Sequence, residues 1–192
     1  MIARLARVFV EFQVSIGLIK EEDANIYQYG YTVMVEMVLS IVISICLGVW
    51  LGQVRDILFF LCMFLPLRSY CGGYHADKAW KCMLLSNAVA IGVVGVAKWG
   101  ALYLAPQWIK NLVAVACSII IICLSPVDNE NRKLSVCEKE VYRNYAIVIL
   151  VIEIVLGAVM LFGGNINLYH IVLISHVVQA VSLICASINI IQ

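Results

Sequence analysis

The sequence predicts an all-α, polytopic membrane bundle of about six spans, preceded by an amphipathic helix in the membrane interface. Three observations predict it. Of the 192 residues, 64% are hydrophobic and 13% charged, and the mean hydropathy is +0.99. A soluble domain runs nearer half apolar and a quarter charged. The apolar residues gather into stretches near the ~20 needed for a helix to cross a bilayer. Finally, the basic residues fall unevenly on the segments between those stretches.

Residues 1–20 place Ile2, Leu5, Val8, Phe9, Phe12, Ile16 and Ile19 at helical spacing, interrupted by Arg4, Arg7, Glu11 and Gln13. This pattern predicts a helix lying in the interface and ended by Glu21-Glu22-Asp23. The same charges break any continuous apolar core, so no cleavable signal peptide is expected. Tyr27, Tyr29 and Tyr31 suit interface anchors for a first span over 31–51, which carries Glu36. A second span, 57–67, ends at Pro66 and is short enough to be re-entrant. Further spans are expected over 80–97, 109–125, 144–162 and 168–191, the fifth of the six with Glu153 near its middle. The loop 98–110, the polar loop 125–143 and the break at Gly163-Gly164-Asn165 separate them. All are read as helices because lipid offers the backbone no hydrogen-bond partner. The expected organisation is one transmembrane domain over 1–192: an interfacial helix and acidic linker over 1–26, then the bundle over 27–192.

Charge sets the expected orientation. With the N-terminus inside, the inner face collects ten basic residues: Arg4, Arg7, Lys20, Arg68, Lys78, Lys81, Arg132, Lys133, Lys139 and Arg143. The outer face receives three, Arg55, Lys98 and Lys110. By the positive-inside rule this predicts a multi-pass protein with its N-terminus and both polar segments in the cytoplasm.

Composition also excludes. A net charge of +1 gives no electrostatic footprint for nucleic acid, and none is expected as a partner. Eight cysteines without regular spacing do not form a secreted disulfide framework. Five of them (Cys46, Cys62, Cys117, Cys123, Cys185) lie in apolar runs as small hydrophobes. No phosphate-binding glycine loop is present, so no nucleotide or other cofactor is expected. The bilayer is the expected partner, and a homodimer suits so small a bundle.

Polar chemistry concentrates in one stretch, Arg68-Ser-Tyr-Cys-Gly-Gly-Tyr-His-Ala-Asp-Lys-Ala-Trp-Lys-Cys82. Cys82 follows His75 by seven residues, and an imidazole is the usual means of turning a thiol into a nucleophilic thiolate. On one continuous helix the two would share a face but stand ~10.5 Å apart along the axis. The pair therefore requires a broken helix. Gly72-Gly73 is a poor helix interior, and Asp77 is a good N-cap for a helix starting at Lys78. Cys71 is the rival thiol. Cys71, His75 and Cys82 together match no standard zinc spacing, so no metal is expected.

Arg68, Gly72-Gly73, His75-Ala76 and Cys82 resemble the signature of the AgrB (accessory gene regulator B) family of membrane cysteine endopeptidases. Ser125-Pro126-Val127-Asp128-Asn129-Glu130-Asn131 resembles that family's second polar motif, although Arg132-Lys133 stands where the pattern has a further proline. The resemblance extends over the whole chain. It implies processing of an AgrD-like quorum-sensing propeptide in a bacterial cell membrane, with His75 as general base and Cys82 as nucleophile. The enzyme would release the propeptide's C-terminal tail and hold the rest as a thioester. A cysteine or serine of the propeptide would then displace Cys82 and close a thiolactone or lactone.

Supporting roles fall to Arg68 (a substrate carboxylate or a lipid phosphate), Gly72 and Gly73 (backbone near an oxyanion, or a plain turn) and Asp128 (orienting His75, or capping its loop). Arg132 and Lys133, with Lys139 and Arg143, are candidates for drawing in an acidic propeptide tail or serve as topology determinants. A different class of function, a small transporter or exporter, would use Glu36 and Glu153 as intramembrane carriers. A non-catalytic membrane scaffold is the third reading.

Overall fold

The computed structural model describes residues 2–74, 79–127 and 134–191. Among these there are seven α-helices and no strand: α1 (Ile2–Ser15), α2 (Ala24–Trp50), α3 (Val54–Cys71), α4 (Ala79–Trp99), α5 (Gln107–Leu124), α6 (Val136–Phe162) and α7 (Ile166–Ile191). Five of them, α2 and α4 to α7, are long and apolar enough to cross a membrane.

α1 is the expected amphipathic helix. It packs on α2, burying Ala6 and Val10 while Val8, Phe9 and Phe12 stay exposed, and Phe9 meets Tyr31 edge-on. It ends at Ser15, before the acidic patch, which forms a 3-10 turn of its own (Glu21–Asp23).

α3 departs from expectation. It does not stop at Pro66 but runs 18 residues with Pro66 inside it, about 27 Å at the α-helical rise. A membrane helix tolerates an internal proline because neighbouring helices can satisfy the freed backbone groups. The charges Arg55, Asp56 and Arg68 near its ends keep it out of the strongly apolar class. α6 also starts earlier than expected. A capping box sets its origin: Ser135 Oγ accepts from the Glu138 N–H, and the Glu138 carboxylate accepts from the Ser135 N–H at 2.9 Å.

α7 is the hub. Half of its spanning stretch is buried, against 11–28% for the other four spans, and α3, α4, α5 and α6 all pack on it. Two apolar clusters lie along it. Ile57, Phe60, Val93, Val94, Ala97 and Ile171 join α3, α4 and α7 near one end. Leu67, Cys71, Ile121, Leu150, Ala180 and Leu183 join α3, α5, α6 and α7 near the other. Polar pairs register the helices: Ser44 Oγ donates to Asn87 Oδ1 at 2.9 Å between α2 and α4, and Asn167 Nδ2 to the buried Asp56 at 2.7 Å between α7 and α3.

Candidate active site

The chain does not run as one helix from Arg68 to Cys82. α3 ends at Cys71, and Gly72 to Tyr74 are non-helical before α4 is described from Ala79. Gly72 (φ +71°) and Gly73 (φ +141°) occupy backbone conformations that side chains disfavour. They also permit close approach. A Cβ at Gly72 would lie 2.7 Å from the Val127 carbonyl oxygen, and one at Gly73 would collide with the Arg68 guanidinium. The Val127 N–H donates to the Cys71 carbonyl at 3.0 Å. The start of the second polar motif thus packs directly on the first, and both lie at one end of the bundle.

Arg68 binds this turn from the last turns of α3. Its Nη1 donates to the Gly72 carbonyl (3.0 Å) and to Ser182 Oγ (2.6 Å), and its Nη2 donates to the Tyr74 carbonyl. α7 supplies the remaining bonds. Gln179 Nε2 donates to the Gly72 carbonyl at 2.9 Å. The Tyr74 N–H points to both Ser182 Oγ (3.1 Å) and the Ser182 carbonyl (3.2 Å). Among the described residues no carboxylate pairs with Arg68; its donors serve the chain's own acceptors.

Cys82 sits on the first turn of α4, half-buried. It lines a cavity of about 460 Å³ between α3, α4 and α7, with Phe64, Arg68, Tyr74, Val178 and Ser182. The volume falls in the range of ligand sites, and the lining combines apolar walls with a few convergent polar groups. Cys82 and Arg68 also line a second space of about 190 Å³ between α2, α3 and α4, which Glu36, Ser40 and Ser69 reach. Cys71, by contrast, is fully buried in the cluster of Leu67 and Ile121 and lines neither space. Of the two rival thiols, only Cys82 borders these cavities.

Of the residues singled out in the sequence, Arg68, Gly72, Gly73 and Cys82 converge at this one place. His75, Asp128, Arg132 and Lys133 lie outside the described residues, as do Asp77 and Lys78. Glu36 borders the smaller cavity, whereas Glu153 is bonded to His176 inside the bundle. Ser182 was not singled out. Its signal is a polar stripe, Ser175, Gln179 and Ser182, at i, i+4 and i+7 on an otherwise apolar helix.

Fold and site together define a polytopic helical membrane protein with a cavity-facing thiol just past a glycine-broken helix. The family model for accessory gene regulator B (AgrB) matches residues 5–183, and the chain belongs to that family. It is similar to AgrB-like protein 2 of Clostridium perfringens (strain 13 / Type A), 25% identical over 146 residues, which cover 73% of this chain and 67% of that protein. No solved structure matches.

Proposed function

We propose that this chain is a membrane cysteine endopeptidase that cleaves the C-terminal tail from an AgrD-like propeptide and cyclises the remainder. The observation that carries the reading is Cys82: a half-buried thiol facing a 460 Å³ cavity, seven residues after His75, with the helix broken between α3 and α4. Membership of the AgrB family supports the substrate class.

In the reaction, His75 takes the Cys82 proton and the thiolate adds to a propeptide carbonyl. The tetrahedral intermediate collapses, the C–N bond breaks, and the tail amine leaves with the proton from His75. A thioester to Cys82 remains. A propeptide thiol or hydroxyl, deprotonated by His75, then attacks this thioester; the new ring bond forms and Cys82 is released with the proton. With a propeptide thiol, one thioester replaces another, so ring closure needs no nucleotide. The apolar walls given by Phe64, Val89, Val177 and Val178 shield the acyl-enzyme from water, which would otherwise hydrolyse it. The site faces the cytoplasm of a bacterial cell, as the basic-residue asymmetry implies.

The test is to incubate the reconstituted full chain with its propeptide and to look for a covalent adduct that hydroxylamine releases. Wild type forms it and Cys82→Ala does not, while still inserting as a folded bundle. Cleavage that survives Cys82→Ala but is lost with Cys71→Ser reverses the assignment.

A further inference from the structure

We infer that Ser182 and Gln179 of α7, acting with Arg68, are positioning residues for His75. The inference rests on the His75–Cys82 reading above and adds to it the device that presents the base. Tyr74 immediately precedes His75. Both of its backbone polar groups are held: the N–H by Ser182 Oγ and the Ser182 carbonyl, the C=O by the Arg68 guanidinium. Because a peptide unit is planar, holding the Tyr74 carbonyl restricts the direction in which the chain enters His75.

The hold gathers half-buried groups around one fully buried amide. Gln179 is fully buried, and its amide and Arg68 Nη1 share the Gly72 carbonyl at 2.9 and 3.0 Å. Ser182 Oγ is the common acceptor of Arg68 and Tyr74, so one hydroxyl ties α3, the turn and α7 together. Gly73 lets the guanidinium lie against the backbone, where any side chain would displace it. This arrangement places Arg68 on the protein's own carbonyls rather than on a substrate carboxylate. Two bonds to the Gly72 carbonyl and three to Tyr74 converge on a turn of three residues, more than is needed merely to end a helix, for which Gly72 alone serves. α7, which carries neither His75 nor Cys82, thereby takes part in the catalytic geometry.

The test reads Cys82 reactivity directly. The full chain in lipid nanodiscs is treated with iodoacetamide at neutral pH, and modification of the Cys82 peptide is followed by mass spectrometry. His75→Ala slows this alkylation roughly tenfold, since the thiolate is the reacting species. Ser182→Ala slows it about three- to tenfold when His75 is present and has no further effect in the His75→Ala background, the non-additivity of residues acting through one another. Gln179→Leu repeats the cycle from a second contact and covers the case of a Ser182 variant that fails to fold. An equal slowing in both backgrounds overturns the inference, because the effect would then not pass through His75. Wild-type rates in both Ser182→Ala and Gln179→Leu overturn it as well, with the His75–Cys82 pair left standing. If His75→Ala itself changes nothing, the pair fails and the inference falls with it.

Discussion

The Glu153 carboxylate and the His176 imidazole lie 2.8 Å apart between α6 and α7, with side chains only 3% and 2% exposed. An intramembrane carboxylate invites a transport role, but this one is bonded to a neighbouring helix and borders neither cavity at Cys82. Removing one partner strands the other in an apolar interior. Glu153→Leu is therefore expected to destabilise the bundle by about 1–3 kcal/mol, and Glu153→Leu/His176→Leu to recover most of that loss. Unfolding in mixed micelles measures both. A double variant no better than the single one would show that the pair is not the unit.

Gly73→Ala should be far more damaging than Gly92→Ala. The first places a Cβ on the Arg68 guanidinium at φ +141°, whereas a Cβ at Gly92 meets nothing within 4 Å. Propeptide cleavage by Gly73→Ala is expected to fall about a hundredfold, the scale on which misplacing a reacting group acts. Gly92→Ala should leave cleavage and helix content as in wild type. Gly72→Ala, 2.7 Å from the Val127 oxygen, should behave like Gly73→Ala.

Cys71→Ser separates packing from chemistry. The residue is fully buried among Leu67, Cys117, Ile121 and Leu183. A hydroxyl there should cost about 1–3 kcal/mol of stability. Cleavage per folded molecule is expected to stay at the wild-type level. Loss of cleavage without loss of stability would make Cys71 a participant.

Asn87 links α4 to α2 through Ser44 (2.9 Å) and Ser40 (3.2 Å) and donates back to the carbonyl of Met83, the residue after Cys82, at 2.7 Å. Interhelical hydrogen bonds in membranes average about 0.6 kcal/mol. Ser44→Ala should therefore cost about that much and Asn87→Leu about twice as much. Denaturant midpoints of the two variants check the ratio.

Much of the fold was legible in the residues. The five long apolar helices follow from composition and length alone, since lipid leaves a spanning chain only helix or closed barrel. The break before Cys82 was readable from Gly72-Gly73, and the amphipathic helix from the charges within residues 1–20. α3 was not, because Pro66 and flanking charges made it look shorter than its 18 residues. A proline's cost in a membrane helix depends on whether its surroundings satisfy the freed carbonyl, which local spacing does not reveal.

Composition and residue spacing alone call for a bilayer, gather the polar chemistry between Arg68 and Cys82, and mark Gly72-Gly73 as a poor helix interior. These follow from hydropathy, charge and backbone sterics, all of which are local. Long-range packing is what sets Cys82 rather than Cys71 beside the cavities, joins Glu153 to His176, and brings Ser182 to Tyr74 from 108 residues away. Such choices depend on which helix faces pack together. In a chain this uniformly apolar many packings bury similar surface, and a few hydrogen bonds between distant residues select one of them.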